Sequence, residues 1–207
     1  QQVSYSNYTG SKTKQKPVHI LNKNPNQFDS KQFNQDLREP NRSILGMNQE
    51  MWLENRLKKT NATWTILGQQ VMLAPQKWSV TKDLIERKSS ESSEELDMAM
   101  QKETIRPELT KNLDAWDGYP AARSRLYEVI AEHKKKLVAL SGDTHFSTAH
   151  NLVDKSGQLI GAEFGTTSVT SPSFWDNVNI NKIELEKKQL DFNDDMQFLH
   201  LRNRGYL

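Results

Sequence analysis

Leu137-Val138-Ala139-Leu140-Ser141-Gly142-Asp143-Thr144-His145 is the stretch on which the fold turns. Three lysines, Lys134 to Lys136, precede it and belong in water. The apolar, β-branched run that follows reads as a short buried strand. Gly142 breaks it. A carboxylate and an imidazole then stand two residues apart. In an extended segment residues i and i+2 point the same way, so Asp143 and His145 are expected to converge just past a strand's carboxyl end. Open α/β sheets place ligand sites there. A carboxylate oxygen and a neutral imidazole nitrogen are what a metal ion takes from a protein. An Asp at a strand end is also an ordinary cap or turn former, and a His an ordinary polar core residue. Both readings stand on these residues alone.

Upstream of the strand, Pro120 sits where a first helical turn tolerates a missing N–H. A helix is expected from there to about His133, with Leu126, Val129 and Ile130 buried and Arg123 and Arg125 off that stripe. Just before it, residues 112–120 pack Asp114, Trp116, Asp117 and Tyr119 around a turn. Downstream, strands are expected at 148–153 and 158–164 around an Asp154-Lys155-Ser156-Gly157 turn, forming a hairpin. The hydroxyl-rich run 165–173 suits either phosphate oxygens or a plain strand and turn. Residues 177–190 read as an exposed helix. Residues 196–201 read as a strand with His200 near its end, and Arg204-Gly205-Tyr206 as the start of another.

Earlier in the chain a helix is expected at about 48–59, capped by Asn48, with Glu50 in its first turn and Trp52 in the core. Residues 63–73 read as a strand interrupted by Gly68-Gln69-Gln70. Burying those carboxamides without partners would cost on the order of 1–3 kcal/mol each. The break is therefore a bulge or the place where the strand meets a polar site. Residues 79–108 form a charged, Ser-rich surface insertion. Residues 1–41 are polar and loop-like, with a short strand possible only at Val18-His19-Ile20-Leu21 and prolines against a long helix.

The 207 residues suit one domain or a large piece of one. A formal charge of +2 gives no case for nucleic acid or an anionic membrane. No cysteine is present, which excludes thiolate zinc sites, disulfides and a Cys nucleophile. No apolar run approaches the roughly 20 residues of a membrane span, and no signal peptide is visible. The chain begins with Gln1, and a piece cut at both ends is expected.

Six blocks, in order over residues 42–207, resemble the carboxyl-terminal part of the metallophosphatase domain of PhoD-like alkaline phosphatases. They are Arg42-Ser43-Ile44-Leu45-Gly46 with Gln49 and Trp52-Leu53; Ala62-x-Trp64 with Gly68 to Pro75; Asp114 to Ala121 with Arg123; Leu140 to His145; Glu163-Phe164 with Ser168 to Pro172; and Arg204-Gly205-Tyr206. The resemblance implies an α/β fold, a calcineurin-like sandwich of two β-sheets flanked by helices, with its amino-terminal half missing here. Residues 1–41 would be a variable segment. It implies hydrolysis of a small phosphate ester, monoester or diester, at a metal centre, with iron and calcium as cofactors and a secreted or periplasmic location. Asp143 and His145 would be metal ligands and catalytic residues. Gln70, Trp116, Asp117, Tyr119 and Arg123 would line the substrate cleft, Arg123 equally serving a structural pair. The other ligands would lie outside this chain, so the piece alone is expected to be inactive. A phosphodiesterase or phospholipase D-type hydrolase on the same scaffold, or an inactive structural or binding module, are the alternatives.

Overall fold

The computed structural model describes residues 30–78, 112–177 and 179–206. The strand expected near Val18, His19 itself, and the whole of the 79–108 insertion lie outside the described residues. The element order is helix α1 (Ser30–Leu37), α2 (Met47–Lys59), strand β1 (Thr65–Gly68), α3 (Pro120–Glu132), β2 (Leu137–Ser141), β3 (Ser147–Val153), β4 (Leu159–Gly165), α4 (Lys182–Phe192) and β5 (Met196–His200). The strands form one mixed sheet in the order β1-β2-β4-β3-β5. β1, β2 and β4 run parallel, and β3 is antiparallel to both β4 and β5. The chain is thus α/β, as expected.

Helix α1 corrects the loop-like reading of its segment: Phe33 and Leu37, one turn apart, are both buried. In α2 the inward stripe is Leu57, which is buried, and Leu53, which is partly so. Trp52, expected in the core, is 58% exposed, because the neighbouring Leu53 takes the inward position. Asn48 is not the cap either. Gly46 caps the helix at φ 79°, its N–H donating to Ser43 Oγ at 2.7 Å. A positive φ is unstrained only for glycine.

Pro120 opens α3 as expected. Ala122, Leu126, Tyr127 and Ile130 are buried beneath the sheet, while Val129 is only partly so. Lys134 at φ 49° ends the helix. The Lys135 N–H reaches back to Ile130 O at 3.0 Å and the Lys134 N–H to Ala131 O at 3.1 Å, a Schellman turn that aims the chain into β2. Arg125 ties α3 to α2 and to the α1–α2 connection, bonding both Glu50 carboxylate oxygens and the carbonyl of Arg42.

The 63–73 strand is shorter than expected, stopping at Gly68. The hairpin is as expected, with Gly157 at φ 84°. The later helix begins at Lys182, where Asn181 Oδ1 accepts the Glu184 N–H at 3.1 Å. It buries Leu185, Glu186 and Gln189, so it is not a solvated helix throughout. Residues 202–206 adopt no strand.

One face of the sheet is covered by α3 and its neighbours, where Leu137, Ala139, Leu152, Ile160, Leu126 and Ile130 pack together. A second cluster joins Trp78, Phe146, Trp175, Leu185, Met196 and Leu199. On the other face, register places Leu140, Phe164, Ala149 and Phe198 in one row across four strands. Leu140 is 43%, Phe164 40% and Phe198 50% exposed, and Ile66 on the same face 68%.

On the covered face the Thr148 hydroxyl donates to Phe198 O at 3.0 Å and has only lone pairs left for the His150 ring, 2.8 Å away. Nε2 therefore carries the proton, and the ring is neutral. Burial lowers the His150 pKa from 6.5 to about 4. The unfolded chain binds this proton below about pH 6.5 and the folded chain does not. His150 thus costs no stability above pH 6.5 and progressively more as pH falls toward 4, about 3 kcal/mol at the limit. Urea midpoints measured between pH 7.5 and 4 are expected to fall less steeply for His150→Gln than for the native protein. Equal slopes would refute the assignment.

Candidate functional site

β1, β2 and β4 are parallel, so their carboxyl ends share one edge of the sheet. Three connections leave that edge: residues 69–75, 142–146 and 166–173. The sheet order explains the middle one. β2 and β3 are joined by five residues yet have β4 between them, so the chain must arch over the end of β4, a span of roughly 10 Å. It must also reverse direction, because β3 runs antiparallel to β2, and a continuously extended segment cannot do that. Asp143 and His145 adopt φ 66° and 59°. The expectation that they sit extended and point the same way by strand alternation is therefore corrected. Their location at the carboxyl end of a strand is as expected. Two non-glycine residues in the left-handed region within three positions are uncommon, and such strain concentrates at functional sites.

The arch is held from three sides. Gly142 N–H donates to Gln70 O at 3.3 Å, and Thr166 N–H to Ser141 O at 2.8 Å. Thr167 Oγ1 donates to His145 O at 3.1 Å. Beneath it Phe146 is buried against Trp78, ring centroids 5.4 Å apart, and Trp78 against Trp175 at 4.8 Å. His145 Nδ1 lies 2.9 Å from Pro172 O. A carbonyl oxygen only accepts, so Nδ1 carries a proton, and in the neutral ring the lone pair is on Nε2. This is how metal-ligating histidines are oriented, the second nitrogen donating to a carbonyl or carboxylate. The Asp143 side chain is exposed. The donor set, a hard carboxylate and an imidazole oriented through Nδ1, fits part of a metal site. No group of three or more His, Cys, Asp or Glu that could hold an ion occurs among the described residues.

Gln70 is exposed beside the arch. The other expected cleft residues lie elsewhere. Trp116 is 3% exposed and belongs to the main core. Its indole N–H donates to Gln69 Oε1 at 2.7 Å. Asp117 accepts from Arg123 Nη1 at 2.5 Å and from the Gln76 N–H at 2.9 Å. Arg123 is thus the partner of a nearby acid, the structural alternative. Tyr119 lies under the Arg42 guanidinium, 4.7 Å from it, and Arg42 donates to Gly118 O at 2.7 Å. These residues form a scaffold under the edge, and only Gln70, Asp143 and His145 of the expected set stand together at it.

Sequence reasoning missed Gln69 and Glu163. Gln69, not Gln70, is the inward carboxamide: Nε2 donates to Ser141 Oγ at 3.2 Å and to Glu163 at 3.4 Å. Glu163 is fully buried on β4 and accepts from the Leu73 and Ala74 N–H groups at 2.7 and 2.6 Å and from the Ser141 hydroxyl. A carboxylate inside the run Leu159 to Phe164 was a visible signal.

An open α/β sheet with its polar connections gathered at the carboxyl ends of parallel strands is the architecture of ligand-binding α/β proteins. The chain belongs to the PhoD-like phosphatase family, whose model matches residues 11–207. It is 36% identical over 139 residues to alkaline phosphatase D of Bacillus subtilis (strain 168), covering 65% of this chain and 20% of that protein. It is similar to a solved structure of PhoD, with a TM-score of 0.58 and 30% identity, over 83% of this chain and 28% of that one. The chain therefore spans between a fifth and three tenths of the length of these relatives.

Proposed function

We propose that this chain forms the carboxyl-terminal part of the catalytic domain of a metal-dependent phosphatase that hydrolyses phosphate monoesters and diesters outside the cytoplasm. The observation that carries the reading is the Asp143–His145 arch at the carboxyl edge, with His145 held through Nδ1 by Pro172 O, so that the lone pair of the neutral ring is on Nε2. Iron and calcium are the proposed ions, and Asp143 and His145 would hold them together with ligands from outside this chain. When bound, the ions polarise the phosphoryl oxygens and lower the pKa of a bound water. The chain's own residues orient that centre. The Pro172 carbonyl orients the imidazole through Nδ1, Thr167 anchors the backbone of His145, and Gln70 offers an exposed carboxamide to the ester oxygens. Asp117, Arg123, Trp116 and Tyr119 support the edge from below.

The uncovered apolar row of Leu140, Phe164 and Phe198, with Ile66 beside it, supports the two-sheet sandwich. Exposed apolar faces of this kind mark contact surfaces, and the second sheet would come from the longer protein.

The test is hydrolysis of an aryl phosphate and of a bis-aryl phosphate by the complete protein, with and without a chelator. Hydrolysis that the chelator abolishes and added metal restores is expected, with none from residues 1–207 alone. Hydrolysis untouched by chelation would overturn the metal reading. No hydrolysis of either ester would overturn the phosphatase reading.

A further inference from the structure

Glu163 is a buried titratable group that this mechanism does not use. It sits on β4 in the covered face, between Ala139 on β2 and His150 on β3. Its four donors are all neutral: two backbone amides, a hydroxyl and a carboxamide. Burial pushes its pKa up, against the pull of those four bonds. What it holds is specific. Gln69, Leu73 and Ala74 belong to the connection leaving β1. Ser141 is the last residue of β2, next to the arch. Gln70 and Gly142 join the same two segments through their backbones, and Gln69 carries the link on to Trp116.

We infer that Glu163 is a positioning residue of the site: its carboxylate fixes the connection after β1 against the end of β2 and so sets where Gln70, Asp143 and His145 stand. The inference rests on the phosphatase reading of the edge, which it deepens. An apolar residue at 163 would leave two amides and a hydroxyl buried without an acceptor. Glu163→Gln keeps the volume but turns an NH2 group toward donors, so the connection must shift. Displacement of a reacting group by about 1 Å is enough to cost on the order of 100-fold in rate.

The test compares Glu163→Gln with Leu152→Ala in the complete protein. Leu152 is buried in the same face and touches neither connection's hydrogen bonds, so it reports core damage alone. Glu163→Gln is expected to lower kcat about 10- to 100-fold with KM within about 3-fold, at a temperature where both variants are folded. Leu152→Ala is expected to lower the melting temperature as much or more and leave kcat unchanged. Amide hydrogen exchange supplies a readout that needs no activity. Glu163→Gln should speed exchange at Leu73, Ala74 and residues 142–146, and Leu152→Ala should not. An unchanged kcat in Glu163→Gln, or unchanged exchange at 142–146, would overturn the inference. If the native complete protein hydrolyses nothing, the phosphatase reading fails and the exchange comparison alone decides the positioning role.

Discussion

Replacing His145 with alanine in the complete protein is expected to lower turnover of an aryl phosphate by at least about 100-fold, and Asp143→Asn by a similar factor. Removing residues that merely orient metal ligands costs on the order of 10–100-fold, and a ligand itself should cost more. The two side chains fail in different ways. Asp143→Asn keeps the size and the left-handed backbone, which asparagine tolerates, but removes the negative charge that a hard cation requires. His145→Ala removes the only nitrogen donor at the arch, and puts a residue with no local hydrogen bond at φ 59°. A further variant separates backbone strain from ligation. His145→Asn suits the left-handed region but cannot reach as far as imidazole Nε2, so it should restore folding of the arch and not activity. Bound metal per chain, measured after gel filtration, should fall in all three variants. Native-like turnover and metal content in either Asp143→Asn or His145→Asn would remove that residue from the centre.

The arch also shows where sequence reasoning stops. The strand at 137–141, the hairpin around Gly157 and the helix after Pro120 are all legible, because each rests on a local signal: a short apolar run, a turn residue, a proline at a first turn. The conformation of residues 142–146 is not local. It follows from β4 lying between β2 and β3, and β4 is placed by residues that come later in the chain. Strand alternation therefore put Asp143 and His145 in the right region with the wrong geometry.

The same distinction explains the carboxamides. The pattern said that something polar must meet Gly68-Gln69-Gln70, and it does. Which glutamine turns inward depends on Trp116 and Glu163, respectively 47 and 94 positions away from Gln69. Trp52 fails for a simpler reason. Trp52 and Leu53 are adjacent on α2, only one can face α3, and hydrophobicity alone does not choose between them. Glu163 was legible as an anomaly in an apolar run, but its partners were not.

Gly118→Ala is expected to be the most damaging single methyl in the described structure. A Cβ built there would lie 1.9 Å from the carbonyl oxygen of Leu113 and 2.7 Å from its carbonyl carbon. Both are backbone atoms and neither has a flexible end to swing away. The segment cannot shift easily. Gly118 N–H donates to Ala115 O at 2.9 Å, its carbonyl accepts from the buried Arg42, and its neighbours Asp117 and Tyr119 are held by Arg123 and Arg42. Overpacking at such a point costs about 3 kcal/mol, or roughly a 10 °C drop in melting temperature for a domain of this size. Gly68→Ala is the matched control, since a Cβ at that position meets nothing within 4 Å and its φ is not positive. Its effect should stay within about 1 kcal/mol. The strain at 118 should reach the edge as well, because Trp116 bonds Gln69 through its indole and Met72 through its backbone. The Trp116 indole N–H, followed by its own NMR resonance, is expected to exchange faster with solvent in Gly118→Ala before global unfolding, and to stay protected in Gly68→Ala. Equal melting temperatures for the two variants would mean that the close approach of residues 113 and 118 is relieved at little cost, and that the scaffold under the site is looser than these contacts imply.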